Sequence, residues 1–314
     1  MNKLAIGIDI GGTNTDIGLV SPDGKVLQRK GLKTPEYDNP DIYVRDISEA
    51  IRNLMSENSV SEVAGVGIGA PNAHFDTGCI GADTANLRMK QEIPICRMLQ
   101  AALHLPVTLS NDADAAALGE HIYGGAKQMR HFVTITLGTG VGSGIFVDGH
   151  LIHGNGCMAG ELGHAIVNPH SDRRCSCGRK GCLEMYASAR GICQTYREEA
   201  ATGVFPDRFI GSEITCKDVG EMAVAGDPLA LKAYDTTAYW LAVGMANAAT
   251  FCSPEAFFLM GGPTRAGEAL LKPLRRYFTE NLLYIYRDKI SIQLSKLQSN
   301  DAAVLGAAAL IHLE

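Results

Sequence analysis

Apolar residues in this chain come in short bursts that stop at glycine. Leu4 to Ile10 reads as a strand that runs into Gly11-Gly12-Thr13. A second apolar run passes through Ile17 to Val20, and Pro22-Asp23-Gly24 turns the chain into a third that reaches Leu27. The layout returns at Phe132 to Ile152, with the strand Phe-Val-Thr-Ile-Thr-Leu, the turn Gly138-Thr139-Gly140, the strand Gly-Ile-Phe-Val, a turn at Asp148-Gly149 and a third strand. A repeat this far along the chain is too long for a solenoid and predicts a duplicated domain.

After each of these meanders the period changes. Ile42 to Met55 and Met98 to Leu103 have helical spacing, Val63 to Ile68 and Val107 to Leu109 read as short buried strands, and Ser110-Asn111-Asp112 leads into the apolar helix Ala113 to Leu118. In the second half, Pro228 to Phe251 predicts a long apolar helix suited to a core or a dimer face. It is followed by the strand Ala256 to Met260, the turn Gly261-Gly262-Pro263 and a helix beginning near Arg265. The last segment, Asn300 to His312, predicts a helix capped from Ser299-Asn300-Asp301. Strands alternating with helices make the expected class α/β.

Composition narrows the partners. A chain of 314 residues with 46% hydrophobic content buries a large core and is expected to divide into two domains. A net charge of -6 removes the electrostatic reason to bind nucleic acid or an anionic membrane, and no apolar run is long enough to span a bilayer. An odd number of cysteines and a start that goes directly into strand pattern point to a reducing cytoplasm.

Three glycine turns, at Gly11, Gly138 and Gly261, each follow an apolar strand. Turns without bulky side chains let backbone N–H groups approach phosphate oxygens, and Thr13 and Thr139 add hydroxyls. A lone turn of this kind is most often an ordinary hairpin; three make a nucleotide site the better reading. Neither a P-loop lysine pattern nor a Gly-x-Gly-x-x-Gly opening a helix is present, so the site is of another kind. Asp9, on the strand entering the first turn, is placed to hold Mg²⁺ through water. Asp112, at the carboxyl end of a strand and the start of a helix, is the candidate base for phosphoryl transfer. Its alternative role is helix capping, and Asp114 is its rival in the same segment.

Cys175-x-Cys177-Gly-x-x-Gly-Cys182-x-Glu184, preceded by Gly-Glu161-Leu-Gly-His164, offers three thiols and an imidazole to a tetrahedral zinc ion. A closed four-ligand sphere leaves no open position, so the expected metal is structural. Its job is to fix the loop that carries Glu161, His164 and Glu184. The other six cysteines have no metal spacing.

Taken together, Asp-Ile-Gly-Gly-Thr from Asp9, Ala-Asn-Leu from Ala85, Ser-Asn-Asp-Ala from Ser110, Leu-Gly-Thr-Gly-Val-Gly-Ser-Gly from Leu137, Gly-Glu-Leu-Gly-His from Gly160, the cysteine motif and Gly-Gly-Pro from Gly261 resemble the ROK sugar kinases over nearly the whole chain. The resemblance implies an actin-like ATPase fold of two RNase H-like domains with an interdomain cleft. The first would comprise 1–115 plus the returning segment 298–314, and the second 116–297. It implies an ATP-dependent kinase acting on the 6-hydroxyl of a hexose, glucose first and an N-acetylhexosamine or fructose as alternatives; a non-catalytic sugar sensor of the same fold is the rival class. Asp112 then resembles the catalytic base. Asn86, Asn111, Asp112, Glu161, His164 and Glu184 resemble the sugar contacts. Asp9, Gly11, Gly12, Thr13, Gly138, Thr139, Gly140, Gly261 and Gly262 resemble the ATP·Mg²⁺ site, and His164, Cys175, Cys177 and Cys182 the zinc ligands. A homodimer is the expected assembly. The chain departs from many family glucokinases at Asn14, where they carry lysine, and at Arg88 and Met89, where an aromatic is usual. Only eight residues precede Asp9, too few for the DNA-binding helix-turn-helix of the family's regulators.

Overall fold

The structure, a computed structural model, describes residues 3–34, 39–82, 91–205, 214–297 and 301–313. In chain order the first strands and helices are β1 (Ala5–Ile10), β2 (Asn14–Val20), β3 (Val26–Lys33), α1 (Pro40–Glu57), β4 (Val66–Gly69), β5 (Ala73–His74), β6 (Cys79–Ile80), α2 (Ile95–Leu103), β7 (Val107–Ser110) and α3 (Asp112–Ile122). They continue with β8 (Phe132–Leu137), β9 (Val141–Val147), β10 (His150–Leu151), α4 (Glu184–Ala187), α5 (Ala189–Ala201), α6 (Cys216–Val224), α7 (Pro228–Cys252), β11 (Ala256–Met260), α8 (Glu268–Asn281), β12 (Ser291–Leu294) and α9 (Ala302–Ala309). The elements are packed as an α/β protein in two compact units.

The first unit comprises Met1–Met129, Leu151–Ala159 and Ser295–Glu314. Its sheet has the order β3-β2-β1-β4-β7, with β1 antiparallel to β2 and parallel to β4. β1 has a strand on both sides, which suits its nearly unbroken apolar run, whereas β3 lies at the edge and alternates half-buried and exposed residues. α1 starts where Asn39 caps the backbone N–H of Asp41 and Pro40 presets the first turn. It turns Tyr43, Val44, Ile47, Ile51 and Leu54 into the core. α9 lies with its backbone directly on the sheet: a Cβ on Gly7 would stand 2.1 Å from the Val304 carbonyl oxygen, and one on Gly67 1.8 Å from that of Ala307. The alanine-rich tail therefore completes this unit's core.

The second unit comprises Arg130–His150 and Gly160–Leu294. Its sheet, β10-β9-β8-β11-β12, repeats the first in order and sense, with β8 antiparallel to β9 and parallel to β11. α7 starts from an Asp227 cap with Pro228 in its first turn, and its buried stripe from Leu229 to Ala249 packs into the unit's core together with α8. The helix expected near Arg265 divides in two. A single 3₁₀ turn covers Gly262–Ala266, and α8 begins only after Gly267, whose φ of 55° breaks the helical path. The last helix has Asp301 at its N-cap position, as expected, but without a side-chain cap bond; Ser299 and Asn300 lie outside the described residues.

Candidate active site

In the first unit, β7 delivers the chain to Asn111, whose side-chain oxygen accepts the backbone N–H of Asp114 at 2.7 Å. The cap is thus Asn111 and not Asp112. Capping by Asn111 relieves the Asp112 carboxylate of that role at the first helical position, where it is reachable by solvent. Desolvation raises its pKa above the usual carboxylate range, the Asp114 charge adds to the rise, and backbone N–H groups of Ala113 and Asp112 offset part of it. A carboxylate made more basic in this way suits proton acceptance. Asp114 is 2% exposed and is bonded to Ser110 Oγ at 3.2 Å and Asn111 Nδ2 at 3.1 Å, so this rival points into the protein.

Asp9 lies half-buried near the end of β1. Burial first, then the charges of Asp112 and Asp16, push its pKa up to about 6, and Arg29 pulls it down. A carboxylate raised by burial and by neighbouring negative charge sits where a cation would be stabilised. The turn beside it is held by the Gly11 N–H donating to the Asn14 carbonyl at 2.9 Å. Beneath it the hydroxyls of Thr15, Thr34 and Tyr43 form a buried cluster, with Thr15 2.5 Å from Tyr43. Asn86 lies outside the described residues, as do Arg88 and Met89.

In the second unit, Gly138-Thr139-Gly140 joins β8 to β9, and the Gly138 N–H donates to the Gly140 carbonyl at 2.9 Å. Three glycines here have different reasons to be glycine. Gly261 has φ of 105° and lies against Leu137, so the fold itself requires it. Gly140 has no room either, because a Cβ would stand 2.5 Å from Glu184 Oε2. Gly138, like Gly262, has neither positive φ nor any neighbour within 4 Å. Nothing in the fold accounts for Gly138, which is what a backbone approached by a ligand looks like.

The cysteine segment forms a tight hairpin in which Cys175 N–H donates to the Arg179 carbonyl at 2.8 Å and Gly178 N–H to the Cys175 carbonyl at 3.0 Å, with Gly178 at φ 85°. It brings His164, Cys175, Cys177 and Cys182 together, their ligand atoms all within 4.8 Å of one another. Cys175 Sγ is 3.5 Å from His164 Nδ1, and Cys177 Sγ is 3.6 Å from Cys182 Sγ. Ligands about 2.3 Å from a central ion in a tetrahedron are roughly 3.8 Å apart, so the donor set and its spacing fit zinc. Backbone and side-chain donors of Arg179 lower the Cys177 thiol to about 6, toward the thiolate that a metal requires.

With Nδ1 turned to the thiols, His164 presents Nε2 toward Glu161, at 3.8 Å. Glu161 is exposed and free to meet a ligand. Glu184 is not: it is buried, its Oε2 accepts the Val141 N–H at 3.1 Å, and its Oε1 lies 3.9 Å from Cys175 Sγ. It therefore fastens the second glycine turn to the cysteine loop, a role its spacing in the sequence did not signal. His153 is a further residue missed by sequence reasoning, since a lone histidine between an apolar strand and a glycine carries no pattern. A polar cavity of about 480 Å³ elsewhere in this unit, around Arg173 and Tyr186, contains none of the candidate residues, and its Arg173 guanidinium is already bonded to Met185, Thr195 and Glu198.

Comparison with known proteins gives the same picture. The ROK family model matches residues 5–314. The glucokinase of Halalkalibacterium halodurans is 35% identical over 98% of this chain and 94% of its own length, and that of Thermotoga maritima is 33% identical over 98% and 96%. The crystal structure of a ROK family glucokinase from Streptomyces griseus in complex with glucose and AMPPNP superposes with a TM-score of 0.80 at 31% identity, covering 98% of each chain.

Proposed function

Because this chain belongs to the ROK family, whose members have the actin-like two-domain fold, we propose that it transfers the γ-phosphoryl group of ATP to the 6-hydroxyl of a hexose, with glucose as the acceptor. The observation that carries this reading is the Asp112 carboxylate, uncapped at the carboxyl end of β7 and held in a more basic state than an ordinary aspartate. In the reaction the sugar's hydroxyl oxygen bonds to the γ-phosphorus as the bond from that phosphorus to the bridging oxygen of ADP breaks. The hydroxyl proton passes to Asp112. The barrier falls because the acceptor is oriented and the charge on the transferring group is stabilised, so the protein's task is positioning.

Each part of the site has a share in that task. Gly11, Gly12 and Thr13 in the first unit, and Gly138, Thr139, Gly140 and Gly262 in the second, offer backbone N–H groups and hydroxyls to the phosphates. Asp9 would hold Mg²⁺, which when bound would neutralise charge on the phosphate oxygens. Asn86, Asn111, Glu161 and His164 Nε2 take the sugar hydroxyls. His164, Cys175, Cys177 and Cys182 would hold a zinc ion, whose contribution would be to fix the His164 ring and the loop of Glu161. Glu184, placed by resemblance among the sugar contacts, serves first as the anchor of Val141; its Oε1, 3.7 Å from the Arg190 guanidinium and 3.9 Å from Cys175 Sγ, is the oxygen it would turn to a hydroxyl.

The test is ADP release by the purified protein against a panel of hexoses, with kcat/KM for each. Glucose is expected at the head of the series. Release of ADP that does not depend on any hexose, or none at all, would overturn the assignment.

A further inference from the structure

The loop Leu151–Ala159 groups with the first unit although the residues on either side of it belong to the second. His153 is what seats it. Its ring stacks on Phe75 with centroids 4.3 Å apart and planes 10° from parallel, and its Nδ1 edge faces Asp114 Oδ2 at 3.5 Å. Asp114 is almost fully buried and is spliced into the start of α3: its backbone N–H donates to Asn111 Oδ1, and its Oδ2 accepts from Asn111 Nδ2 and Ser110 Oγ. Asp114 Oδ1 and His153 Nδ1 are both buried, and neither has a hydrogen-bond partner among the described residues.

A buried carboxylate with spare acceptor capacity opposite a buried ring nitrogen just beyond bonding distance is an arrangement one short movement from being satisfied. The stack on Phe75 occupies a face of the ring and leaves its Nδ1 near Asp114. Asp112 lies between the two members of the Asn111–Asp114 pair, so whatever holds that pair also sets where the base points.

We propose that His153 is a positioning residue for the base: with its proton on Nδ1 it closes on Asp114, and through the reciprocal Asn111–Asp114 bonds it fixes the turn of α3 that presents Asp112. This rests on the kinase reading and adds to it a residue outside the recognised motifs. It also gives the loop that leads to Glu161 a direct hold on the helix that carries the base. The proposal requires an N–H donor at position 153, which packing alone would not.

The experiment compares His153→Phe, which keeps the stack and removes the donor, with His153→Gln, which keeps a donor and loses the ring. Steady-state kcat, hexose KM and thermal midpoint are measured for each beside the wild type. The expected result is a fall in kcat of about tenfold or more for the phenylalanine variant, with hexose KM within about twofold and an unchanged midpoint. The glutamine variant is expected to keep roughly a third or more of wild-type kcat. In a double-mutant cycle with Asp114→Asn the losses are expected not to multiply, because both act through one bond. Wild-type kcat in the phenylalanine variant, or equal impairment of both variants, would overturn the proposal. If the phenylalanine variant does not fold, the glutamine variant and Asp114→Asn decide: a glutamine variant as slow as the asparagine one contradicts the donor role. A wild-type protein without hexose-dependent ADP release would instead defeat the kinase reading on which the proposal stands.

Discussion

The two glycine turns occupy the same place in two sheets of the same order, yet different things stand behind them. Behind Gly11–Thr13 is an acid, Asp9, with its pKa pushed up by burial and by neighbouring carboxylates against the pull of Arg29. Behind Gly138–Gly140 is also an acid, Glu184, but it is bonded to the Val141 backbone and lies against the cysteine knot. The first carboxylate keeps a raised pKa even with the Arg29 charge acting on it and would be stabilised by a cation, whereas the second gives one oxygen to holding the turn. The duplicated scaffold thus carries one half built for binding at a cost in stability and one half built for rigidity.

The largest difference is expected when the brace on the second turn is removed. Stripping the metal with a chelator, or Cys177→Ser, is expected to lower stability by several kcal/mol, roughly 10 °C in the melting of the second unit, while leaving the first unit's amide exchange unchanged. Equal loss of protection in both sheets would break the comparison. Next in size is Gly140→Ala, whose Cβ would drive Glu184 off Val141: an expected loss of about 1–3 kcal/mol, measured by urea unfolding, against a much smaller one for Gly11→Ala, where the nearest atom is 3.2 Å away.

Asp9→Asn is expected to do the opposite. The folded pKa of about 6 lies above the ordinary 3.8, so the folded state binds the extra proton and wild-type stability falls as pH rises between those values. The asparagine variant escapes this. Its advantage should be absent below about pH 4 and fully present above about pH 6, reaching at most about 3 kcal/mol in the ligand-free protein, with activity lost. Thermal melts of both proteins across that range check it, and an advantage that grew toward acid would contradict the assignment. The smallest expected effect on stability is that of Gly138→Ala, which meets no neighbour: an unchanged melting midpoint with a raised KM for ATP. A lowered midpoint with unchanged KM would make Gly138 a glycine of the fold.

The sequence and the structure agree where the signal is local and fail to where it depends on a partner far along the chain. Two meanders, their glycine turns and the clustered His164, Cys175, Cys177 and Cys182 are all visible as spacing, because strand period, turn residues and the separation of candidate ligands are properties of short segments. Glu184 and Gly140 are 44 positions apart by their numbers, and no spacing rule says that one carboxylate occupies the other's missing side chain. Asn111 and Asp112 both suit a helix cap, and the choice between them was made by the path of the chain leaving β7. Gly261 reads in the sequence as a third phosphate turn, and its conformation and its contact with Leu137 give it a structural reason to be glycine as well. Likewise, nothing in the sequence around Gly267 marks it as the break that delays α8.

The central claim is that Asp112 takes the acceptor's proton. Asp112→Asn preserves the shape of the side chain and the Asn111 cap, so its thermal midpoint should match or slightly exceed that of the wild type. Its kcat for hexose-dependent ADP release should fall by about 10²–10⁴-fold with sugar affinity little changed. A folded Asp112→Asn protein that phosphorylates glucose at close to the wild-type rate would contradict the account.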